Sequence, residues 1–164
     1  MLSDEALLKD VVLDFGRSSG PGGQHRNRKA TSCTATHKPS DFSGEATERR
    51  RQSENRKLAI SRLRRTLAIH LRRSIDKDSY RLSELWEARR QGTLFAINPK
   101  HRDYPHILAE VLDILFAFNF DQIAASTLAQ ISSTQLLKII AHDKAAFTWF
   151  NDQRKDCGLQ PLKA

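Results

Sequence analysis

The sequence predicts an α+β fold in which a small N-terminal β-sheet and one long basic helix are followed by an all-α C-terminal domain. Two β-prone runs, 11–15 and 31–37, flank a glycine-rich loop, which predicts neighbouring strands. Apolar residues recur at helical spacing over 48–74, and the patterns that follow are helical. The 164 residues suffice for two small domains, expected at 1–74 and 75–164.

The first 47 residues predict a short helix and three strands. Ser3 is a candidate N-cap for the helix, with Asp4 and Glu5 in its first turn, where the helix dipole favours acids. Residues 16–29 contain four glycines and a proline, so they predict a long basic loop rather than a helix or strand. Loops of this length in a small domain are usually functional or disordered. The strands are expected at 11–15, 31–37 and 42–47.

Residues 48–74 predict a long helix with a strongly basic polar face. Leu63 and Leu67 belong to its apolar stripe. Ten basic residues stand against two acidic ones, Glu48 and Glu54, which favours contact with an RNA backbone over a merely solvated face. The basic residues are Arg49, Arg50, Arg51, Arg56, Lys57, Arg62, Arg64, Arg65, Arg72 and Arg73.

The C-terminal half predicts helices with identifiable starts. Ser83 is expected to cap a helix that ends at Gly92, and Pro105 suits the first turn of another. Further N-cap candidates are Asp121, Ser132 and Asp143.

Charge and hydropathy narrow the class of protein. The net charge of +8 lies entirely in residues 1–73, which carry 16 basic and 8 acidic residues, whereas 74–164 carry 11 of each. This asymmetry favours nucleic acid as partner, because no basic amphipathic helix with aromatic anchors points to a membrane. Without a secretory pattern or an apolar run of roughly 20 residues, we expect a cytoplasmic protein. Cys33 and Cys157 lack nearby ligand partners, so neither a disulfide nor a metal site is expected.

Several short segments of the first half form an ordered set with characteristic spacing. They are residues 17–24, Asn27, 37–40, 50–56 and Ala59. In order and spacing this set resembles the catalytic domain of class I peptide chain release factors. The similarity covers residues 3–73 and is greatest to the short, codon-independent branch that acts in ribosome rescue. Departures from the family pattern make the chain more basic at Arg26 and at 49–51, and they place Asp41 where the family has a turn glycine.

The resemblance implies hydrolysis of the peptidyl-tRNA ester on the ribosome by Gly22, Gly23 and Gln24. Glycines allow backbone angles closed to other residues and a close approach to RNA. The Gln24 N–H could then stabilise the oxyanion or the departing ribose oxygen. Its neutral side chain cannot act as a general base and would position the attacking water. In the family the rest of the active site is RNA, so no cofactor, metal or protein triad is expected.

The implied partners are the ribosome, through large-subunit rRNA, and peptidyl-tRNA. We expect a monomer without membrane contact. RNA binding is predicted for the basic residues in and beside the loop: Arg17, Arg26, Arg28, Lys29, Arg49, Arg50, Arg51 and Arg56.

Two other functions stay open. Arg26 and the added helical domain suggest a ribosome- or RNA-binding adaptor that does not hydrolyse. A transcriptional regulator would use 121–140, which resembles a helix-turn-helix with Gln130 in place of the turn glycine. The neutral charge of 74–164, with Lys138 alone in the second helix of that motif, favours a packing or protein-docking module instead.

Overall fold

The computed structural model describes residues 4–17 and 30–163. Within them it contains seven helices and two small antiparallel sheets, which confirms the predicted α+β class. Ser3, the predicted first N-cap, and residues 18–29 of the glycine-rich loop lie outside the described residues.

The chain divides into two compact units, Met1–Leu67 and Ala68–Ala164. This division lies seven residues before the boundary expected after residue 74. Ala68 and Ile69 belong to the second unit because their side chains are buried in its core.

The first unit contains a three-stranded sheet with the order β1-β2-β3. Each strand begins and ends within one residue of its predicted position. The register pairs Leu13 with Ala35 and Cys33 with Ala46, so alternate residues of the strands share one face. The elements are α1 (Asp4–Lys9), β1 (Val11–Gly16), β2 (Ser32–His37), β3 (Ser43–Ala46) and most of α2 (Gln52–His70).

Helix α2 packs directly against the sheet. At Gly44 the two backbones meet, because a Cβ there would lie 2.3 Å from the Leu63 amide nitrogen and 2.4 Å from the Ala59 carbonyl oxygen. Glycine therefore allows strand β3 to lie against the helix without an intervening side chain. The buried core between them consists of Leu7, Cys33, Ala35, Ala46, Ala59, Ile60, Leu63 and Leu67.

Helix α2 is shorter than the predicted 48–74, since it begins at Gln52 and ends at His70. At its start, the Asn55 side chain accepts a hydrogen bond from the Arg49 amide and donates one to the Arg49 carbonyl. The Arg49 amide and carbonyl therefore bind a side chain instead of helical backbone partners. This explains why residues 48–51, whose sequence pattern is helical, precede the helix.

The second unit consists of helices and one short hairpin. The hairpin turns at Gly92, which has a φ of +60°, and it is an addition to the helices that the sequence predicted. Helix α3 accordingly ends at Arg89 rather than at Gly92. The elements are α3 (Glu84–Arg89), β4 (Arg90–Gln91), β5 (Leu94–Phe95), α4 (Tyr104–Ala117), α5 (Gln122–Ala129), α6 (Ser133–Ala141) and α7 (Lys144–Asp156).

The predicted starts of these helices are confirmed. Four side chains accept hydrogen bonds from amides of the following turn: Ser83, Asp121, Ser132 and Asp143. Pro105 lies in the first turn of α4, as expected. Helix α4 forms the centre of the core, and Tyr104 at its start donates to the Ile139 carbonyl at 2.9 Å. Among the described residues, no helix has the length and apolar character needed to cross a membrane.

Helices α5 and α6, in the segment whose sequence resembles a helix-turn-helix, are joined by a three-residue turn. Gln130 adopts the left-handed conformation, with φ +55° and ψ +32°, at the position where a glycine is usual. Small or apolar residues hold the two helices together: Ala125, Ala129, Ile131, Leu136 and Ile139 are all buried. Lys138 remains the one basic residue of α6, so the arrangement carries no basic surface of its own.

Candidate functional site

The glycine-rich loop connects β1 to β2, and the structure describes both of its ends. We define the stem as residues 16–17, where the chain leaves the sheet, and 30–32, where it returns. Gln24 is six residues from Ala30, so the extended chain can separate them by at most about 20 Å. Six predicted site residues lie outside the described residues: Gly22, Gly23, Gln24, Arg26, Arg28 and Lys29.

Ser32 closes the stem on the sheet side. It pairs with Gly16 in the last rung of the β1–β2 ladder. The Ser32 hydroxyl donates to the Gly16 carbonyl at 2.6 Å and accepts from the Gly16 amide at 3.2 Å. A Cβ at Gly16 would lie 3.1 Å from this hydroxyl oxygen, so a larger residue would crowd it. The two ends of the connection are therefore held together where the ladder ends.

The beginning of helix α2 holds the returning end of the stem. The exposed Gln52 donates from Nε2 to the Ala30 carbonyl at 2.9 Å. Asn55, which is fully buried, donates from Nδ2 to the Thr31 carbonyl at 2.6 Å and to the Arg49 carbonyl at 3.0 Å. Its Oδ1 accepts from the Arg49 amide at 2.9 Å. Two amide side chains thus bind consecutive carbonyls of the stem.

The predicted RNA-binding residues that the structure describes lie around this stem. Arg17 directly follows Gly16, and Arg49 is bound by Asn55, so both are at the same end of the sheet. Arg56 lies close enough to Cys33 to offset part of the rise that burial causes in the pKa of that thiol. Arg56 is half-buried, and four arginines are exposed: Arg17, Arg49, Arg50 and Arg51.

Three other basic residues assigned to the RNA-facing surface have different surroundings. Arg62 binds the Glu48 carboxylate and donates to the Glu45 carbonyl at 2.6 Å. The hydrogen bond from Arg62 to the Glu48 carboxylate, together with backbone amides, lowers the pKa of Glu48 to about 2. The prediction that basic residues of this segment face RNA was wrong for two of them. The Arg64 side chain is buried, and the Arg72 side chain is only 9% exposed.

Arg72 belongs to the core of the second unit. Its guanidinium pairs with Asp113 at 3.0 Å and lies over the Trp149 ring, 5.3 Å from the centroid. The side chains of Arg72 and Asp113 are 9% and 10% exposed, so neither can reach an external phosphate. Burial lowers the pKa of Arg72 to about 10, which still leaves it charged at neutral pH.

Sequence reasoning did not identify the contacts that hold the stem. Gln52 and Asn55 appeared only as part of a matching segment, without a structural role, and Ser32 was assigned to a strand. One signal was available, because Gln52 and Asn55 are three residues apart and so lie on the same face of a helix. Their partners, however, are more than twenty residues away along the chain.

The chemistry available at the described part of the site is that of hydrogen bonds and positive charge. Residues 4–17 and 30–163 contain no group of three or more His, Cys, Asp or Glu side chains placed to hold a metal. His37 is at the far end of β2 from Ser32, about 17 Å along the strand, where its Nδ1 hydrogen-bonds Ser40 at 2.7 Å. It is therefore not placed to act as a base at the stem.

Comparison with known proteins shows where the chain has relatives. The RF-1 domain family matches residues 5–104, which extends beyond the stretch 3–73 that carries the sequence motifs. Peptide chain release factor 1 of Streptococcus sanguinis (strain SK36) is 29% identical over 136 residues, covering 79% of this chain and 38% of that protein. The Streptococcus uberis (strain ATCC BAA-854 / 0140J) protein of the same name is 28% identical over 138 residues, covering 80% and 38%. The chain thus spans about 38% of the length of these relatives.

Proposed function

The chain belongs to the class I peptide chain release factor family, and on that premise we propose that it hydrolyses the ester bond of peptidyl-tRNA in the peptidyl transferase centre of the ribosome. The observation that carries the proposal is the triplet Gly22-Gly23-Gln24 in the connection between β1 and β2. The stem of this connection is tied to both the sheet and helix α2.

In the proposed reaction, the oxygen of a water molecule attacks the ester carbonyl carbon. The bond to the ribose oxygen breaks, and that oxygen takes up one proton of the water. The peptide leaves as a carboxylic acid, which loses the second proton to solvent and becomes a carboxylate. The backbone N–H of Gln24 stabilises the negative charge that develops on oxygen. Its side-chain amide is neutral, so it orients the water rather than removing a proton. The triplet glycines leave room for RNA to approach the backbone.

The arginines at the stem support ribosomal RNA as the partner. Five of the eight basic residues proposed to bind RNA lie within the described residues, at the end of the sheet where the stem lies. Contacts between arginine and phosphate position a protein without reading a base sequence. We further propose that the protein acts as a cytoplasmic monomer.

We further propose that release does not depend on a codon, which is supported by the similarity of the motifs to the short rescue branch. Release should therefore proceed at similar rates on ribosomes with an empty A site, with truncated mRNA and with a stop codon.

The experiment is a release assay on purified ribosomes that hold labelled peptidyl-tRNA. Wild-type protein should release the peptide, whereas Gly22→Ala and Gln24→Ala should each lower the rate by about 100-fold, the cost of misplacing reacting groups by about 1 Å. Gly22→Ala adds a Cβ where the reaction needs the backbone to approach RNA closely. Gln24→Ala keeps the backbone N–H and removes the side-chain amide that orients the water. Gln91→Ala is the matched control, because Gln91 is exposed in the second unit. Equal rates for wild type and triplet variants would refute the proposed chemistry. A wild-type protein that binds ribosomes without releasing peptide would instead support the non-hydrolytic adaptor.

A further inference from the structure

We propose that Gln52 and Asn55 are positioning residues that set the place of the Gly22–Gln24 triplet by fixing where the chain re-enters the sheet. The inference rests on the proposed hydrolytic function and adds to it two residues outside the triplet. Neither residue needs to touch the substrate, since both act through the backbone of the stem.

The first support is the pattern of hydrogen bonds. Gln52 and Asn55 donate to the consecutive carbonyls of Ala30 and Thr31, at 2.9 and 2.6 Å. Neither carbonyl belongs to a strand, because β2 begins at Ser32. The side chains thus extend the fixed part of the chain two residues beyond the sheet, toward the triplet.

The second support is the burial and saturation of Asn55. The side chain is fully buried and uses its oxygen and both amide hydrogens, which match its three hydrogen bonds to Thr31 and Arg49. A buried amide with all these groups bound has essentially one orientation. The same side chain binds the backbone of Arg49, so it links the stem to the first of the three consecutive arginines.

The third support is that the proposed reaction requires an accurately placed backbone N–H. Catalysis by a backbone N–H depends on where the backbone is, because no rotation of a side chain can correct its position. An error of about 1 Å in placing reacting groups can lower a rate by about 100-fold. Loss of a stem contact should therefore lower the rate of the chemical step, while binding to the ribosome through other contacts is kept.

The test uses Gln52, because variants of the buried Asn55 could fail to fold. Gln52→Met keeps the length of the side chain and removes the donor to Ala30. Gln52→Glu also removes the donor, and its charge in the first helical turn is compatible with the helix dipole. The matched control is Gln91→Met, the same substitution at an exposed site in the second unit.

Single-turnover release is measured against the concentration of the full chain, with the melting temperature of each variant. We expect both Gln52 variants to release about 10- to 100-fold more slowly at saturation. Gln52→Met should show an unchanged half-saturating concentration and melting temperature, and the control should match wild type. If wild type is active and Gln52→Met releases peptide equally fast at saturation, the positioning role is overturned. It is also overturned if Gln52→Met changes only the half-saturating concentration, because Gln52 would then be an RNA contact. An inactive wild type refutes the proposed function itself.

Discussion

Replacing Gly44 by alanine should destabilise the first unit by about 3 kcal/mol. The added Cβ would lie 2.3 and 2.4 Å from backbone atoms of Leu63 and Ala59 in helix α2. Overpacking a core costs about 1–3 kcal/mol when side chains can rearrange. Here the obstructing atoms are backbone, so the helix must move away from β3 by about 1 Å, a gap that forfeits roughly a quarter to a half of the contact energy between the two surfaces. We therefore expect the upper end of the range.

The Cys33 thiol provides the assay. Cys33 is fully buried in the core of the first unit, whereas Cys157 is exposed in the second. In a Cys157→Ser background, modification of Cys33 by a soluble disulfide reagent reports the opening of the first unit. When closing is faster than labelling, the labelling rate follows the population of the open state. A loss of about 3 kcal/mol should then speed labelling by about 100-fold.

Gly92→Ala is the control for this experiment. Gly92 has a φ of +60°, and a Cβ there would meet no atom within 4 Å, so alanine is strained by its backbone conformation alone. That cost is about 1–2 kcal/mol, and it falls in the second unit, so labelling of Cys33 should not change. If Gly44→Ala labels at the wild-type rate, the reasoning from close backbone contact is refuted.

Two further predictions concern ion pairs. Because the hydrogen bond from Arg62 lowers the Glu48 pKa to about 2, the stability that Glu48 contributes is fully present above its ordinary value of 4.5 and is lost as the pH falls through 2. Glu48→Gln should therefore lower the free energy of unfolding by less than about 1 kcal/mol at neutral pH, as expected for an exposed pair, and should leave it unchanged below pH 2. Urea titrations in which wild type and variant differ equally at both pH values would contradict this. Arg72→Met should cost about 3–5 kcal/mol, because it leaves the Asp113 carboxylate buried without its partner. Adding Asp113→Asn removes the unpaired charge and keeps an acceptor for the Arg73 amide, so the double variant should recover much of that loss. Urea titrations followed by tryptophan fluorescence measure the unfolding midpoints. Equal midpoints for the single and double variants would disprove this prediction.

Elements that depend on neighbouring residues could be predicted from the sequence. Ser132 and Asp143 were identified as N-caps because a cap binds amides two or three residues further along the chain. Strands β1 and β2 were located by their valine and threonine residues, which favour extended backbone where they pack. The hairpin at Gly92 was missed because two-residue strands leave no periodic pattern in the sequence.

The roles of the basic residues could be predicted only in part. A run of arginines indicates a polyanion partner, and Arg49–Arg51 are indeed exposed beside the stem. The same composition gave no sign that Arg72 is buried against Asp113, forty-one residues further along the chain. Whether a guanidinium faces solvent or a carboxylate depends on packing between segments that are distant in the chain. The spacing of residues within one helix does not show which distant segment packs against it.

By itself the sequence determined the family motif, the strands and caps around it, and the excess of positive charge in the first half. Tertiary structure alone decided how the loop that carries Gly22-Gly23-Gln24 is held at its stem. The deciding contacts join Gln52 to Ala30 and Asn55 to Thr31, across 22 and 24 residues. Such hydrogen bonds form only after the sheet and helix α2 have packed together, with Gly44 allowing their backbones to meet. The physical reason is that local preferences act over a few residues, whereas the position of a backbone amide depends on the whole unit that supports it.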